Sequence, residues 1–183
     1  LQRARPTFFF SVPRLWVKFQ QGVFAKMPPK KLDRLMGIPI LGGIVKKKIL
    51  KQLGLDSVRF AGTGAAPLPP ELAQRFEQAF GLQINESLGM TETAGLSTVA
   101  PPGLSAPAGC VGWPLPHARV RIVALSSDDQ ATSQTLPTGD KGMVLYQGPN
   151  LFSGYLDAAE TARSFTPDGW LITGDVGFID PQG

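Results

Sequence analysis

The 183-residue chain reads as an α/β fold, with a βαβ parallel-sheet portion over residues 1–100 and a mostly β portion over residues 101–183. Three observations predict it. Residues 58–61 are strand-like, and a helix-period stretch at 69–80 and a second apolar run at 82–86 follow them. Strand, helix and strand in that order make a parallel crossover unit. Beyond residue 95 the texture changes, and residues 118–125 alternate charged and apolar side chains as a half-exposed antiparallel strand does. Gly 21 and Pro 17 make up about a fifth of the chain, which implies many turns and short elements.

The elements follow in order. Pro6-Thr-Phe-Phe-Phe-Ser-Val-Pro13 is an aromatic run bounded by prolines, the pattern of a buried strand. Residues 14–27 set Leu15, Phe19, Val23 and Met27 four apart, an amphipathic helix that Pro28 and Pro29 stop. Residues 30–54 form a basic, helix-prone connection, clearest over 44–53, with Gly54 as its C-cap. In the helix over 69–80 prolines form the first turn, Leu72, Phe76 and Phe80 share a face, and Gly81 ends it. Residues 101–109, rich in Ala, Pro and Gly, form a loop, and 126–135 are polar and loop-like. Residues 142–147 form a further strand, and 157–165 a short helix with Asp157 as N-cap. Residues 170–173 and 176–179 make two strands around a Gly174-Asp175 turn.

This length allows one domain with a real core and hardly two. The single Cys110 excludes an internal disulfide and a cysteine-rich metal site, and fits a reducing compartment. The net charge of +4 hides a split. Residues 1–56 carry twelve Lys or Arg against two acids, a balance of +10, and the remainder carries six against twelve, a balance of −6. Basic residues interleaved with exposed aromatics are lacking, which argues against nucleic acid. A basic surface near phosphates or an anionic membrane fits the pattern better. The longest uncharged apolar stretch, residues 36–45, is broken by Pro39, Gly42 and Gly43, and falls short of the roughly 20 residues of a spanning helix. With no secretory signal at the start, the expectation is a cytoplasmic protein, or one held peripherally on a membrane.

Three stretches carry residue types suited to a nucleotide. Gly62-Thr-Gly-Ala-Ala-Pro67 lies between a strand and a helix, where small residues let a ligand approach the backbone. Glu86-Ser-Leu-Gly-Met-Thr-Glu-Thr-Ala-Gly95 offers N–H donors, hydroxyls on Thr91 and Thr93, and a hard oxygen ligand on Glu92. Asp175, in the Gly174-Asp175 turn, is placed to accept hydrogen bonds from sugar hydroxyls. Each alone reads more readily as an ordinary turn or βα connection than as a ligand site. Lys46, Lys47, Lys48 and Lys51 form a charged helix face, either simply solvated or in contact with anionic lipid.

Six motifs in order give more than any one. Gly64-Ala-Ala-Pro-Leu68, Leu88-Gly-Met-Thr-Glu92, Gly139-Asp-Lys-Gly142, Gly148-Pro-Asn150, Gly154-Tyr155 and Asp168-Gly-Trp-Leu-Ile-Thr-Gly-Asp175 resemble the adenylate-forming (AMP-binding) superfamily. The resemblance covers nearly the whole chain. It looks closest to the long-chain fatty acyl-CoA synthetases, through residues 7–16 and 47–54. It implies part of the superfamily's large N-terminal domain, with a distorted barrel-like arrangement of the mostly β portion. It implies a ligase that joins a fatty acid to coenzyme A through acyl-AMP, using ATP and Mg²⁺. By position, Gly64, Ala65, Ala66 and Pro67 would line adenine, with Glu86, Ser87, Leu88, Gly89 and Met90 on its other side. Thr91 would touch the α-phosphate and act with Glu92, the Mg²⁺ ligand, and Asp175 would hold the ribose. Trp16 corresponds either to an aromatic that gates a fatty-acid tunnel or to a core aromatic.

There are departures from the pattern. Leu88 stands where an adenine-stacking aromatic is usual, Ser87 where glycine is usual, and Met143 where many members carry Glu. The family's Ser/Thr/Gly-rich phosphate loop does not occur in this sequence, and its C-terminal lysine would follow residue 183. The chain therefore reads as an internal piece, expected to be inactive when isolated. Rival readings are an aryl- or amino-acid-activating enzyme, a non-catalytic adenylate- or lipid-binding remnant marked by Leu88, and a basic membrane-interaction module. If Leu88 faces adenine, Leu88→Tyr in the full-length parent should tighten ATP binding about tenfold, since stacking on a base is worth about 1–3 kcal/mol. Calorimetric titration with ATP checks this, and unaltered affinity in a folded variant would put Leu88 elsewhere.

Overall fold

The computed structural model describes residues 1–182 apart from 102, 105 and 108. The loop expected over 101–109 includes those three positions, which lie outside the described residues. The chain forms two compact units. The first comprises Leu1–Leu88 with Ala100–Gly112, and the second comprises Gly89–Val99 with the chain from Trp113 onward.

The first unit is a three-stranded parallel sheet faced by helices. Its elements are β1 (Phe8–Ser11), α1 (Pro13–Lys26), α2 (Pro29–Met36), α3 (Leu41–Leu53), β2 (Phe60–Thr63), α4 (Pro70–Phe80) and β3 (Ile84–Glu86). The order is β1-β2-β3, with Phe9 opposite Ala61 and Ala61 opposite Ile84. Those three side chains turn to one face and join a core with Trp16, Leu72, Phe76 and Phe80. Proline opens α1, α2 and α4, where a missing N–H costs nothing. The predicted βαβ unit is thus β2-α4-β3, although β2 begins two residues later than the sequence suggested.

The aromatic run at 6–13 is a strand but not a buried one. Phe9 is buried, whereas Phe8 is 62% and Phe10 42% exposed. An edge strand has period two and here only one covered face, so alternate phenylalanines point away from the helices. Phe8 stacks on Phe60 across the strands with ring centroids 4.9 Å apart.

The second unit is antiparallel. A 3₁₀ turn at Thr91–Thr93 precedes β4 (Thr98–Val99), which pairs with β5 (Trp113–Pro114). A four-stranded sheet follows in the order β7-β6-β8-β9, from β6 (Arg119–Leu125), β7 (Ala131–Thr135), β8 (Gly142–Gln147) and β9 (Leu171–Gly177), with α5 (Ala158–Ser164) before β9. Val123, Met143 and Leu145 make its core, packed with Leu125, Trp170 and Ile172. Among the described residues this sheet is open, and the expected barrel-like closure does not form: β7 and β9 are edges, each with a single partner.

Two local expectations change. Residues 131–135 are strand β7 rather than loop. Ala-Thr-Ser-Gln-Thr hides its strand character because an edge strand with exposed side chains needs no apolar alternation. Residues 171–177 are one strand rather than two joined by a hairpin turn. Met143 pairs with Val176 and Leu145 with Ile172, so three residues, 173–175, oppose the single Val144. The extra residues form a bulge, which Gly174 accommodates with φ +79°. Thr173 Oγ1 donates to Val144 O at 2.8 Å and accepts from Asp175 N at 3.1 Å, which replaces the lost ladder bonds.

Candidate functional site

The first unit carries the small-residue loop at the C-terminal end of β2. Gly64 is buried, Ala65, Ala66 and Pro67 are exposed, and Leu68 returns to the core. Ala65 takes φ +66°, a left-handed conformation that costs an alanine about 1 kcal/mol or more. What holds the loop is Glu86, at the end of β3 and only 9% exposed. One carboxylate oxygen accepts from Leu68 N at 2.9 Å and the other from Gly109 N at 2.8 Å. A buried carboxylate requires such partners, and each charged bond to a backbone N–H is stronger than a neutral one. Glu86 is thus a brace under the loop. Ser87 Oγ donates to Thr63 O at 3.1 Å, so the hydroxyl that replaces the usual glycine bonds back to β2. Leu88 is partly buried.

Trp16 belongs to the core of the first unit. It has no exposed surface, and its ring meets Phe9, Phe19 and Phe76 edge-on at centroid distances of 5.2 to 5.8 Å. Trp16 is thus packed in the core, with its position on α1 facing Phe76 of α4.

The second unit carries Gly89, Met90, Thr91 and Glu92 in one loop. Gly89 passes so close to Gly95 that a Cβ would stand 2.2 Å from its carbonyl oxygen, so only glycine fits. Thr93 is fully buried, and its hydroxyl links the Met90 backbone to Ser97 Oγ, which donates to it at 2.8 Å. Thr91 is exposed.

The residues that pin this loop were missed from the sequence. Asn150 Nδ2 donates to the carbonyls of Thr93 at 2.6 Å and Leu96 at 2.9 Å, while its Oδ1 accepts from Tyr146 Oη at 2.8 Å. Phe152 N donates to Glu92 O at 2.8 Å, and the Tyr155 hydroxyl donates to the Glu92 carboxylate. That bond, with help from the Glu92 backbone N–H, holds the Glu92 carboxyl below its ordinary range and pushes the Tyr155 phenol up. Burial likewise raises Tyr146, against the opposing pull of Asn150. The signal available was the Gly148-Pro-Asn150 and Gly154-Tyr155 motifs, which a sequence shows without their targets.

Asp175 stands exposed on the β9 bulge, and no hydrogen bond joins it to the Thr91–Glu92 loop among the described residues. Among those residues there is no group of three His, Cys, Asp or Glu suited to a metal, so Glu92 offers a single carboxylate.

Parallel strands that end in a loop of small residues, with a separate loop bearing hydroxyls and one ionised carboxylate, define a class of α/β protein suited to phosphate-bearing ligands. The AMP-binding enzyme family model matches residues 1–156, and the chain belongs to that family. It is 33% identical to the peroxisomal long chain acyl-CoA synthetase 7 of Arabidopsis thaliana over 98% of its length, covering 28% of that protein. It is 36% identical to the 4-coumarate–CoA ligase-like 6 of Oryza sativa subsp. japonica over 79% of its length and 24% of that protein. The solved structure of ATP-bound MatB from Rhodopseudomonas palustris superposes with a TM-score of 0.71 at 30% identity, over 98% of this chain and 30% of that one. The chain therefore spans less than a third of each of these proteins.

Replacing Asn150 by Ala removes two donors and one acceptor from a partly buried network. At about 1 kcal/mol per bond the second unit should lose roughly 2–3 kcal/mol. Urea unfolding followed by Trp170 fluorescence measures this, and a loss below about 0.5 kcal/mol would show that the loop holds itself.

Proposed function

We propose that the chain is part of an ATP-dependent acid–CoA ligase whose acid is a long-chain fatty acid. The observation that carries the reading is the pinned loop that presents the Thr91 hydroxyl and an ionised Glu92 carboxylate. Membership of the AMP-binding family and the similarity to a long-chain acyl-CoA synthetase over nearly the whole chain support it. In the parent, the fatty acid carboxylate would attack the α-phosphorus of ATP, giving acyl-AMP and releasing pyrophosphate. The CoA thiolate would then attack the acyl carbon and release AMP.

Each unit has its own candidate residues. In the first, the exposed backbone of Ala65 and Ala66, with Gly64, Pro67 and residues 86–88, would line the adenine. Glu86 would act there by holding Leu68 and Gly109 rather than by touching the base. In the second, Thr91 would donate to the α-phosphate and Asp175 would accept from ribose hydroxyls. Mg²⁺ commonly takes one or two carboxylates and completes its shell with waters and substrate phosphates. A single ionised Glu92 fits that mode and no richer one. When bound, the ion would offset negative charge on the phosphate oxygens.

Glu92→Ala in the full-length parent should lower fatty-acid-dependent ATP–pyrophosphate exchange by about 100-fold, because several kcal/mol of charge stabilisation is lost. Stability should change by no more than about 0.5 kcal/mol, since the side chain is outside the core. Unchanged exchange at low Mg²⁺ would contradict the role of Glu92.

Membrane contact is a second proposal, resting on α3. Lys47, Lys48 and Lys51 are exposed beside Ile40, Leu41 and Ile44, which are exposed as well. Lys46 is half-buried, with its Nζ over Gly81 at the C-terminal end of α4, where a cation is favoured, and it leaves the patch. Among the described residues no helix is long and apolar enough to cross a membrane. Basic side chains near an anionic bilayer each contribute roughly 1 kcal/mol. Replacing Lys47, Lys48 and Lys51 by Gln in the parent should weaken binding to phosphatidylglycerol vesicles at least about tenfold in co-sedimentation, and equal binding would exclude this face.

A further inference from the structure

Within the second unit, one polar contact at the Glu92 loop has a built support behind it. The Tyr155 hydroxyl donates to Glu92 Oε1. The Tyr155 ring meets Phe152 edge-on at a centroid distance of 4.7 Å, and Phe152 in turn stacks on Phe165 at 5.9 Å. The Tyr155 backbone is fixed as well. Its N–H donates to Thr161 Oγ1 at 2.8 Å, and the same hydroxyl donates to Asp157 O at 3.1 Å in the first turn of α5. Gly154 lies against Thr161 with φ +135°, so the chain turns sharply into Tyr155 and the phenol has little freedom. Phe152 also donates its N–H to Glu92 O, so backbone and side chain of Glu92 are held from one segment.

We propose that Tyr155 is a positioning residue for Glu92. By donating to Oε1 it fixes the carboxylate rotamer and leaves Oε2 free of that bond, to be offered to a divalent cation on the phosphates of ATP. This rests on the reading of Glu92 as the Mg²⁺ ligand. An unrestrained glutamate on an exposed loop would have to be ordered by the ion itself, at the expense of affinity. Groups that orient a metal ligand from behind typically change metal affinity or activity by about 10–100-fold when removed. Tyr155 is 44% exposed and lies outside the core cluster, so removing its hydroxyl opens no cavity in the core.

The test uses the full-length parent and direct binding rather than turnover. ATP affinity is measured by titration calorimetry in Mg²⁺ and in EDTA, and the ratio gives the increment that the ion contributes. The wild type, Tyr155→Phe and Glu92→Gln are compared, with thermal unfolding of each. Tyr155→Phe should lose about tenfold of the increment, keep its affinity for ATP in EDTA, and unfold at the wild-type temperature. An increment lost in Glu92→Gln but intact in Tyr155→Phe would overturn the positioning role and leave the role of Glu92 standing. An increment intact in both would overturn the metal role of Glu92 and this proposal with it. A Tyr155→Phe chain whose affinity in EDTA and unfolding temperature fall together would make Tyr155 a structural residue and overturn the proposal as well.

Discussion

The side-chain amide of Asn150 governs the shape of the Thr91–Glu92 loop. A loop of small and polar residues has few apolar side chains to bury, so it cannot be held by packing. Its own backbone carbonyls are the handles that remain. Asn150 takes two of them, Thr93 O and Leu96 O, and is itself oriented by the buried Tyr146 of strand β8. The rigidity of the sheet thus reaches the loop through one amide, whose donors and acceptor are all used. A hydrophobic residue at 150 would fill the space but leave those carbonyls unpartnered, at about 1–3 kcal/mol for each one that is buried.

The first unit solves the same problem with a charge. Its exposed loop, residues 65–67, includes an alanine in left-handed conformation, and the buried Glu86 carboxylate ties the loop down at Leu68. Burying a carboxylate is unfavourable unless its oxygens are satisfied, and here both meet backbone N–H groups. The two units therefore use different means for one purpose. Each fixes an exposed loop backbone with a side chain that faces inward.

Much of this was legible in the sequence, and the parts that were not share a cause. The β2-α4-β3 unit declared itself through the period of Leu72, Phe76 and Phe80 and the terminal Gly81, because helix packing and capping are local rules. The small-residue loop and Thr91–Glu92 were visible as motifs, since small side chains and hydroxyls clustered in a turn leave the backbone open to a ligand. The roles of Glu86, Asn150 and Tyr155 were not, because each acts on residues that are distant in the chain: Asn150 reaches back 57 residues to Thr93, and Tyr155 63 to Glu92. Strand β7 was hidden by exposure, and Phe8 and Phe10 misled because an aromatic run does not say which of its alternate faces is covered. The Gly174-Asp175 pair reads as a hairpin turn since a bulge and a turn both call for glycine, and only the register of β8 against β9 separates them.

The bulge also bears on what Asp175 can do. A hairpin turn would set its side chain at a loop tip, where its direction depends on the turn alone. In the bulge, Thr173 anchors to Val144 O and receives the Asp175 N–H, so the backbone of Asp175 is fixed to the central strand while its carboxylate stays exposed. Any exposed acceptor gains from such placement, because the direction of its lone pairs matters as much as its charge. Asp175 and Glu92 are alike in one respect: each is an acid whose backbone is held by a hydrogen bond from elsewhere in the second unit. The hydroxyls differ in what they hold: that of Thr173 accepts from the backbone N–H of Asp175, whereas that of Tyr155 donates to the Glu92 carboxylate itself.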